Sequence, residues 1–504
     1  MIFGRTIICS IVFFFIGNIV QAQSLSVSKI LTDSITYDVS FQSTISDGYS
    51  PLWLNANRYG LSSVEGKNGY LRAGLFKNTC NRETRWNVGY GLDLALPYHF
   101  TSKFVVQQLY VDVDYRKVRL SLGSKERTMM MKNNWLSSGS QTFGINARPI
   151  PEVRIELPDY ISISGKKNWL AIKGHFGYGM MTDGNWQERY VDDGYHYAKR
   201  ALYHSKAGYL RLGNEELFPL VFEGGLEMAC QFGGTIYNPL GREGTFQNKI
   251  EMGTGFKDFI NAIFGGGNDV TDDVYANAAG NTVGSWLFAL SYKLDKWKIR
   301  AYYDHFFEDH SMMFFEYGWK DGLWGLELTL PSNRWVDAVV YEFMNTTYQS
   351  GPVYHDSNET IGDQISGKDD YYNHNLYQGW QHWGQAIGNP LFHSPLYQND
   401  GTLYFSGNRF KAHHIGLSGR PMSTLGYRIL YSYMTNWGTY AVPAVDRRFC
   451  SSFLGEICYS PERWGKLNMR GWNLSAAFAL DRGKEIGNNT GFQMTLRKTG
   501  LLLK

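Results

Sequence analysis

The chain has 504 residues, with 49 Lys plus Arg against 46 Asp plus Glu and a formal net charge of +3. That near-balance excludes the basic excess a nucleic-acid binder needs, and 16% aromatic with only 19% charged residues excludes disorder. With 55 Gly, 14 Pro and a mean hydropathy of −0.33, the composition suits pleated strands joined by tight turns.

The N-terminus reads as a targeting segment. Arg5 precedes an apolar core at 6–20 (TIICSIVFFFIGNIV), and Val20 and Ala22 put small residues at −3 and −1 before Gln23. This predicts a secretory signal peptide over 1–22 and a mature chain over 23–504. Cys9 has no lipobox around it. No later apolar stretch reaches the roughly 18 residues a spanning helix needs, so an exported chain of this kind is secreted, periplasmic or an outer-membrane barrel.

Period-2 alternation then dominates. Trp86, Val88, Tyr90, Leu92, Leu94 and Leu96 alternate with polar or small residues. Val105, Leu109, Val111, Val113 and Tyr115 follow, then Val153, Ile155 and Leu157 against Glu152, Arg154 and Glu156. The pattern returns at Phe222 to Phe232, Trp286 to Leu294, Tyr427 to Tyr433, Trp472 to Leu480 and Phe492 to Leu496. Alternation puts one apolar and one polar face on each strand. Apolar runs of bilayer-crossing length, with aromatics at their ends (Trp86, Tyr98, Tyr115, Trp169, Tyr292), favour strands in lipid over a secreted sandwich or propeller. Lipid offers no hydrogen bonds, so such a sheet must close on itself. The expectation is an all-β fold, a single large antiparallel transmembrane β-barrel of about 18 strands with long extracellular loops.

Some connections are hairpin-short, as at Arg116 and Lys117 or Asp295 and Lys296; others are long, such as 257–284, which starts with a possible helical turn, and 345–408. Loops of that length are usually functional or disordered. Residues Tyr371, Tyr372, Asn373, Tyr377, Trp380, His382 and Trp383 concentrate rings and neutral polar groups, the mixture that stacks on sugar C–H faces and pairs with sugar hydroxyls. These seven are the candidate polysaccharide contacts, with packing of the loop on itself as the competing reading. Glu152, Arg154 and Glu156, with Arg148 nearby, read as a polar ladder lining the barrel interior, in a pore or against a plug. Cys450 and Cys458 flank Gly455 with a spacing that suits a bridged loop. Cys230 sits in an apolar alternation, as a buried or lipid-facing thiol.

No cofactor or metal motif is present: HExxH, GxSxG and the P-loop are all missing. Asp304-His305 and Asp309-His310-Ser311 hold triad residue types, but triads are defined by geometry rather than adjacency. Gly265 to Gly267 read as a loop, Asp369 and Asp370 as a solvated pair, and His413 and His414 as the start of a strand.

Longer strings carry a family resemblance. Segments 144–160 (GINARPIPEVRIELPDY), 169–175 (WLAIKGH), 183–186 (DGNW), 202–206 (LYHSK), 226–234 (LEMACQFGG), 307–309 (FED), 320–323 (KDGL), 371–373 (YYN), 379–380 (GW) and 387–391 (IGNPL) resemble, in order, the Wzi-type capsule assembly family. The resemblance implies an 18-stranded outer-membrane barrel that acts as a lectin rather than an enzyme. It would hold capsular or extracellular polysaccharide at the cell surface. Its other partners would be outer-membrane lipid and, during biogenesis, the barrel-assembly machinery. The alternative is a sugar-selective porin. The chain departs from the family at 25–53, which lacks a 3.6-residue period, and in lacking a terminal aromatic.

Overall fold

In the computed structural model, the described residues are 34–79, 84–239, 249–264, 280–308, 313, 319–355, 359–362 and 367–503. The signal peptide, Cys80, Gly265 to Gly267 and Asp309 to Ser311 lie outside them. Eighteen strands form one sheet. The first nine are β1 (Ile35–Asp47), β2 (Lys67–Lys77), β3 (Trp86–Tyr98), β4 (Val105–Tyr115), β5 (Val118–Ser124), β6 (Glu152–Ser162), β7 (Leu170–Met180), β8 (Leu202–Leu212) and β9 (Leu220–Phe232). The rest are β10 (Asn281–Leu294), β11 (Trp297–Glu308), β12 (Gly322–Thr329), β13 (Ala338–Asn345), β14 (Phe410–Met422), β15 (Leu425–Gly438), β16 (Pro443–Tyr459), β17 (Trp472–Gly483) and β18 (Asn489–Leu503). Each pairs antiparallel with its sequence neighbours, and β1 pairs with β18 from Ile35↔Leu503 to Asp47↔Thr490. The sheet is therefore a closed barrel with no free edge, the one β architecture that leaves no backbone group unpaired in hydrocarbon.

Side-chain alternation sorts the two faces. On β1, Asp38, Ser40, Gln42 and Thr44 are buried inside while Val39, Phe41 and Ile45 are exposed outside. The same outward belt continues through Leu92, Leu109, Val153, Ile155, Ile415, Phe478, Phe492 and Leu496. Exposed rings mark its lower rim, where Trp86 packs on Tyr115 with centroids 4.6 Å apart. One outward reading fails locally. A register shift between Asp93 and Leu94 flips β4, so Val105 points inward against Leu61 and Ala95.

Connections divide by barrel end. At the near end, which carries the first and last strand termini, the turns are short, including 116–117, 295–296 and 423–424. The long connections 48–66, 125–151, 181–201, 233–280 and 346–409 all leave the far end. Outer-membrane barrels put short turns in the periplasm and long loops outside, which makes the far end the outer mouth. Cys450 and Cys458 do not flank a loop. Both lie on β16, and a strand separates residues eight apart by about 26 Å, well beyond the reach of a disulfide. Both thiols are free.

Candidate functional site

Three far-end connections turn inward and fill the lumen. Segment 48–66 carries α1 (Leu52–Asn55), whose Leu52 N–H donates to Asp481 on β17 at 3.1 Å. Segment 125–151 is rich in Ser, Asn, Gln and Gly and has no apolar period. It descends past the wall and is tied to it by inward carboxylates. Lys132 Nζ lies 2.6 Å from Asp304 Oδ2, with both side chains almost fully buried. Gln141 donates to the Asp304 carbonyl at 2.7 Å. Glu342 on β13 accepts from Ser137 Oγ (2.5 Å), the Ser138 N–H (2.7 Å) and Tyr302 OH (2.5 Å). Asn133 donates to Glu327 at 2.9 Å.

Segment 346–409 packs on the previous one. Trp380 Nε1 donates to the Thr142 carbonyl at 3.0 Å, Asn146 donates to the Ala386 carbonyl at 3.0 Å, and Gly144 N–H donates to the Ile387 carbonyl at 3.1 Å. Tyr372 OH donates to the Gln141 carbonyl and accepts from the Asn389 N–H at 2.8 Å. The two backbones run so close at Gly144 and Gly388 that a Cβ on either would collide with the other strand's carbonyl. Glycine is required there for approach rather than for φ. The rings interlock: Tyr372 stacks on Phe392 at 3.8 Å, and Phe306 from β11 meets Tyr371 and Tyr372 edge-on at 5.0 and 5.4 Å. Asp321, just before β12, accepts the Tyr348 and Gln349 N–H groups at 3.1 and 2.8 Å. Burial pushes its carboxyl up to about 6. Asp370 accepts from Asn373 (3.0 Å), Tyr404 (2.8 Å) and Asn408. It is a tie within the plug, not a solvated pair with Asp369.

These contacts bury most of the seven candidate sugar contacts. Tyr371, Tyr372 and Trp380 are 0% exposed and Tyr377 is 1% exposed, so no polysaccharide reaches them as folded. Asn373 is spent on the Phe405 backbone, accepting its N–H at 2.8 Å and donating to its carbonyl at 3.0 Å. His382 is buried, its two ring nitrogens 2.8 and 2.7 Å from the Arg148 and Thr182 carbonyls. Trp383 is half-buried. This burial has one physical cause: a ring-rich loop opposite a polar lumen wall buries more area by inserting than by standing in water.

Glu152, Arg154 and Glu156 all face the lumen. Arg154 lies 3.3 Å from Glu152 and 2.8 Å from Glu156, and Arg127 reaches Glu156 at 3.1 Å. Arg148 stands apart from this ladder. Its guanidinium lies 4.4 Å over the Trp383 ring and donates to Ser102 (2.9 Å) and to the Gly60 carbonyl (3.4 Å). Burial pushes it down to about 10. Between the plug and the wall of β5 to β9 remains a cavity of about 330 Å³, lined by Arg127, Glu152, Arg154, His175, Tyr209 and Glu227 among others. The Asp304-His305 pair is split by strand alternation. Asp304 holds Lys132 inside, whereas His305 lies on the outer-wall side near Tyr303 OH at 3.1 Å.

At the outer mouth lies a small, partly exposed group that the sequence analysis does not single out. Tyr348 and Tyr440 sit together, with Tyr440 OH donating to the Tyr348 carbonyl at 2.8 Å and the Arg409 guanidinium 3.8 Å over the Tyr440 ring. Tyr195 is exposed on the 181–201 connection, just after the short helix α2 (Trp186–Tyr190). The available signal was position: Tyr348, Arg409 and Tyr440 lie within a few residues of far-end strand termini.

No family description matches the chain, and no curated protein matches it in sequence. Among solved structures it is similar to Escherichia coli Wzi, described as an outer-membrane, carbohydrate-binding β-barrel involved in group 1 capsule assembly. The TM-score is 0.56 at 11% identity, over 94% of this chain and 86% of that one. Pseudomonas aeruginosa OpdO (TM-score 0.45, 11% identity, 95% and 100% covered) and OprD (0.44, 10%, 94% and 96%) are more distant. The likeness to Wzi shows the fold, an outer-membrane-type β-barrel.

Proposed function

We propose that the protein is a non-enzymatic outer-membrane lectin that binds a capsular or extracellular polysaccharide at its outer mouth and holds it on the cell surface. The observation that carries this reading is the plug. The described residues of segments 48–66, 125–151 and 346–409 pack in the lumen, where the first two bond to wall carboxylates Asp481, Asp304 and Glu342. A sugar-selective porin needs an open path, and this lumen is filled. The sequence resemblance to the Wzi-type family and the carbohydrate binding ascribed to E. coli Wzi support the same ligand class.

On this reading the buried rings Tyr371, Tyr372, Tyr377 and Trp380 build the platform. Tyr348, Tyr440, Arg409 and Tyr195 meet the ligand, supplying ring faces and a fork of donors for sugar hydroxyls or acidic groups. The test is binding of purified protein to immobilised capsular polysaccharide. The double variant Tyr348→Ala, Tyr440→Ala is expected to lose binding while keeping the heat-modifiable mobility of a folded barrel. Unchanged binding by that variant would move the site elsewhere on the mouth, and no binding by the parent protein would remove the lectin reading.

A further inference from the structure

Part of the 233–280 connection runs along the outer side of the wall. Its helix, α3 (Phe256–Phe264), lies on the outside of the barrel. Tyr178, His204 and Cys230 are register partners across β7, β8 and β9. All three have outward parity, because their strand neighbours Ser205 and Glu227 bond inside the lumen. The helix crosses this row. Tyr178 OH donates to the Phe259 carbonyl at 2.6 Å, and the Lys206 ammonium donates to the Ile263 carbonyl in the last turn. Phe259 packs on Phe232 with centroids 5.2 Å apart, and Ala262 is buried against Cys230 and Phe232. One face of α3 is thus spent on the wall, covering a histidine and a lysine that would otherwise stand among the outward side chains.

Among the described residues, none covers the opposite face. Phe256, Ile260 and Phe264 recur every fourth residue, which forms one stripe, and are 83%, 37% and 69% exposed. About ten residues of tilted strand cross the apolar band of an outer membrane. Counted from Leu170 at the lower rim of β7, Tyr178 falls inside that span. The exposed Phe176 and Leu210, just below the helix, belong to the same outward belt. The stripe lies on the same outer side as this belt, toward the far end.

We propose that α3 is a lipid-embedded collar helix, with Phe256, Ile260 and Phe264 inserted among acyl chains of the outer leaflet. It seals His204 and Lys206 from hydrocarbon while extending the barrel's greasy surface. This rests on the barrel fold and not on the polysaccharide reading.

The experiment uses the full chain with p-benzoylphenylalanine in place of Phe264, folded into vesicles of phosphatidylethanolamine and phosphatidylglycerol and irradiated. A parallel sample carries the probe at Lys466, in an exposed near-end turn. The expected result is a mass shift of one phospholipid for the probe at 264 and none at 466. A cross-linked pair of protein chains from position 264 would overturn the proposal in favour of a second copy as occupant. Absence of any adduct at 264 would overturn it by leaving the stripe in water.

Discussion

The two sides of the lumen handle their charge differently. Along β2 to β6 the wall carries cations of its own: Arg72 grips Asp93, Arg119 pairs with Asp114 at 2.7 Å, and Arg154 bridges Glu152 and Glu156, with Lys125 and Arg127 at the start of the inserted segment 125–151 joining them. Along β11 to β17 the wall carboxylates Asp304 and Glu342 take most of their donors from the inserted segments, and Asp481 takes the Leu52 N–H. The cavity lies on the first side and the tight packing on the second. A wall that carries its own cations leaves an inserted chain fewer acceptors to satisfy, whereas buried acceptors short of wall donors hold a plug in register.

Asp304→Ala breaks the comparison where it is strongest. It leaves the buried Lys132 ammonium without its anion and is expected to destabilise the folded protein by about 3–5 kcal/mol, read as a lower urea midpoint in detergent. A pH response comes next. His393 lies in the plug, and burial pushes its imidazole down to about 4 against about 6.5 in an open chain. Between those values the unfolded chain takes up a proton that the folded one refuses, so stability falls as pH drops from about 6.5 to about 4. In His393→Leu that loss should shrink in urea midpoints across the window; an unchanged slope would show that other groups govern it. Tyr372→Phe removes both bonds of the hydroxyl that joins the two inserted segments and should cost about 1–3 kcal/mol. Its signature is faster hydrogen exchange at the Asn389 amide, and unaltered protection would mean the bond is redundant. Smallest is Arg154→Met. Glu156 keeps Arg127 and Glu152 keeps Arg127 at 3.4 Å, so a cost of about 1 kcal/mol is expected on this partly hydrated side. A loss matching that of Asp304→Ala would erase the distinction between the two sides.

The outer face of the barrel was legible because lipid imposes a local rule, one apolar side chain every second residue, and strands such as β6 and β18 obey it. The inner face was only half legible. Glu152, Arg154 and Glu156 show that something polar lies inside, but polarity reads the same whether the neighbour is water or a plug. The fate of Tyr372 depends on Gln141 and Asn389, one of them 231 positions away, and no local pattern encodes that partnership. Segment 125–151 did carry a signal, a long run of Ser, Asn, Gln and Gly without period between two strands. Met228, Cys230 and Phe232 kept their outward parity, yet Phe307 and α3 cover them, which alternation alone does not reveal. The spacing of Cys450 and Cys458 about Gly455 suits a loop, but Phe449, Phe453 and Ile457 carry the outward face of a strand there.

The plugged lumen is most directly tested by conductance in planar bilayers. The account predicts that the intact protein gives no steady open current, and that a variant with residues 352–404 replaced by a short Gly-Ser linker gives discrete conductance steps. Stable open steps from the intact protein would contradict it.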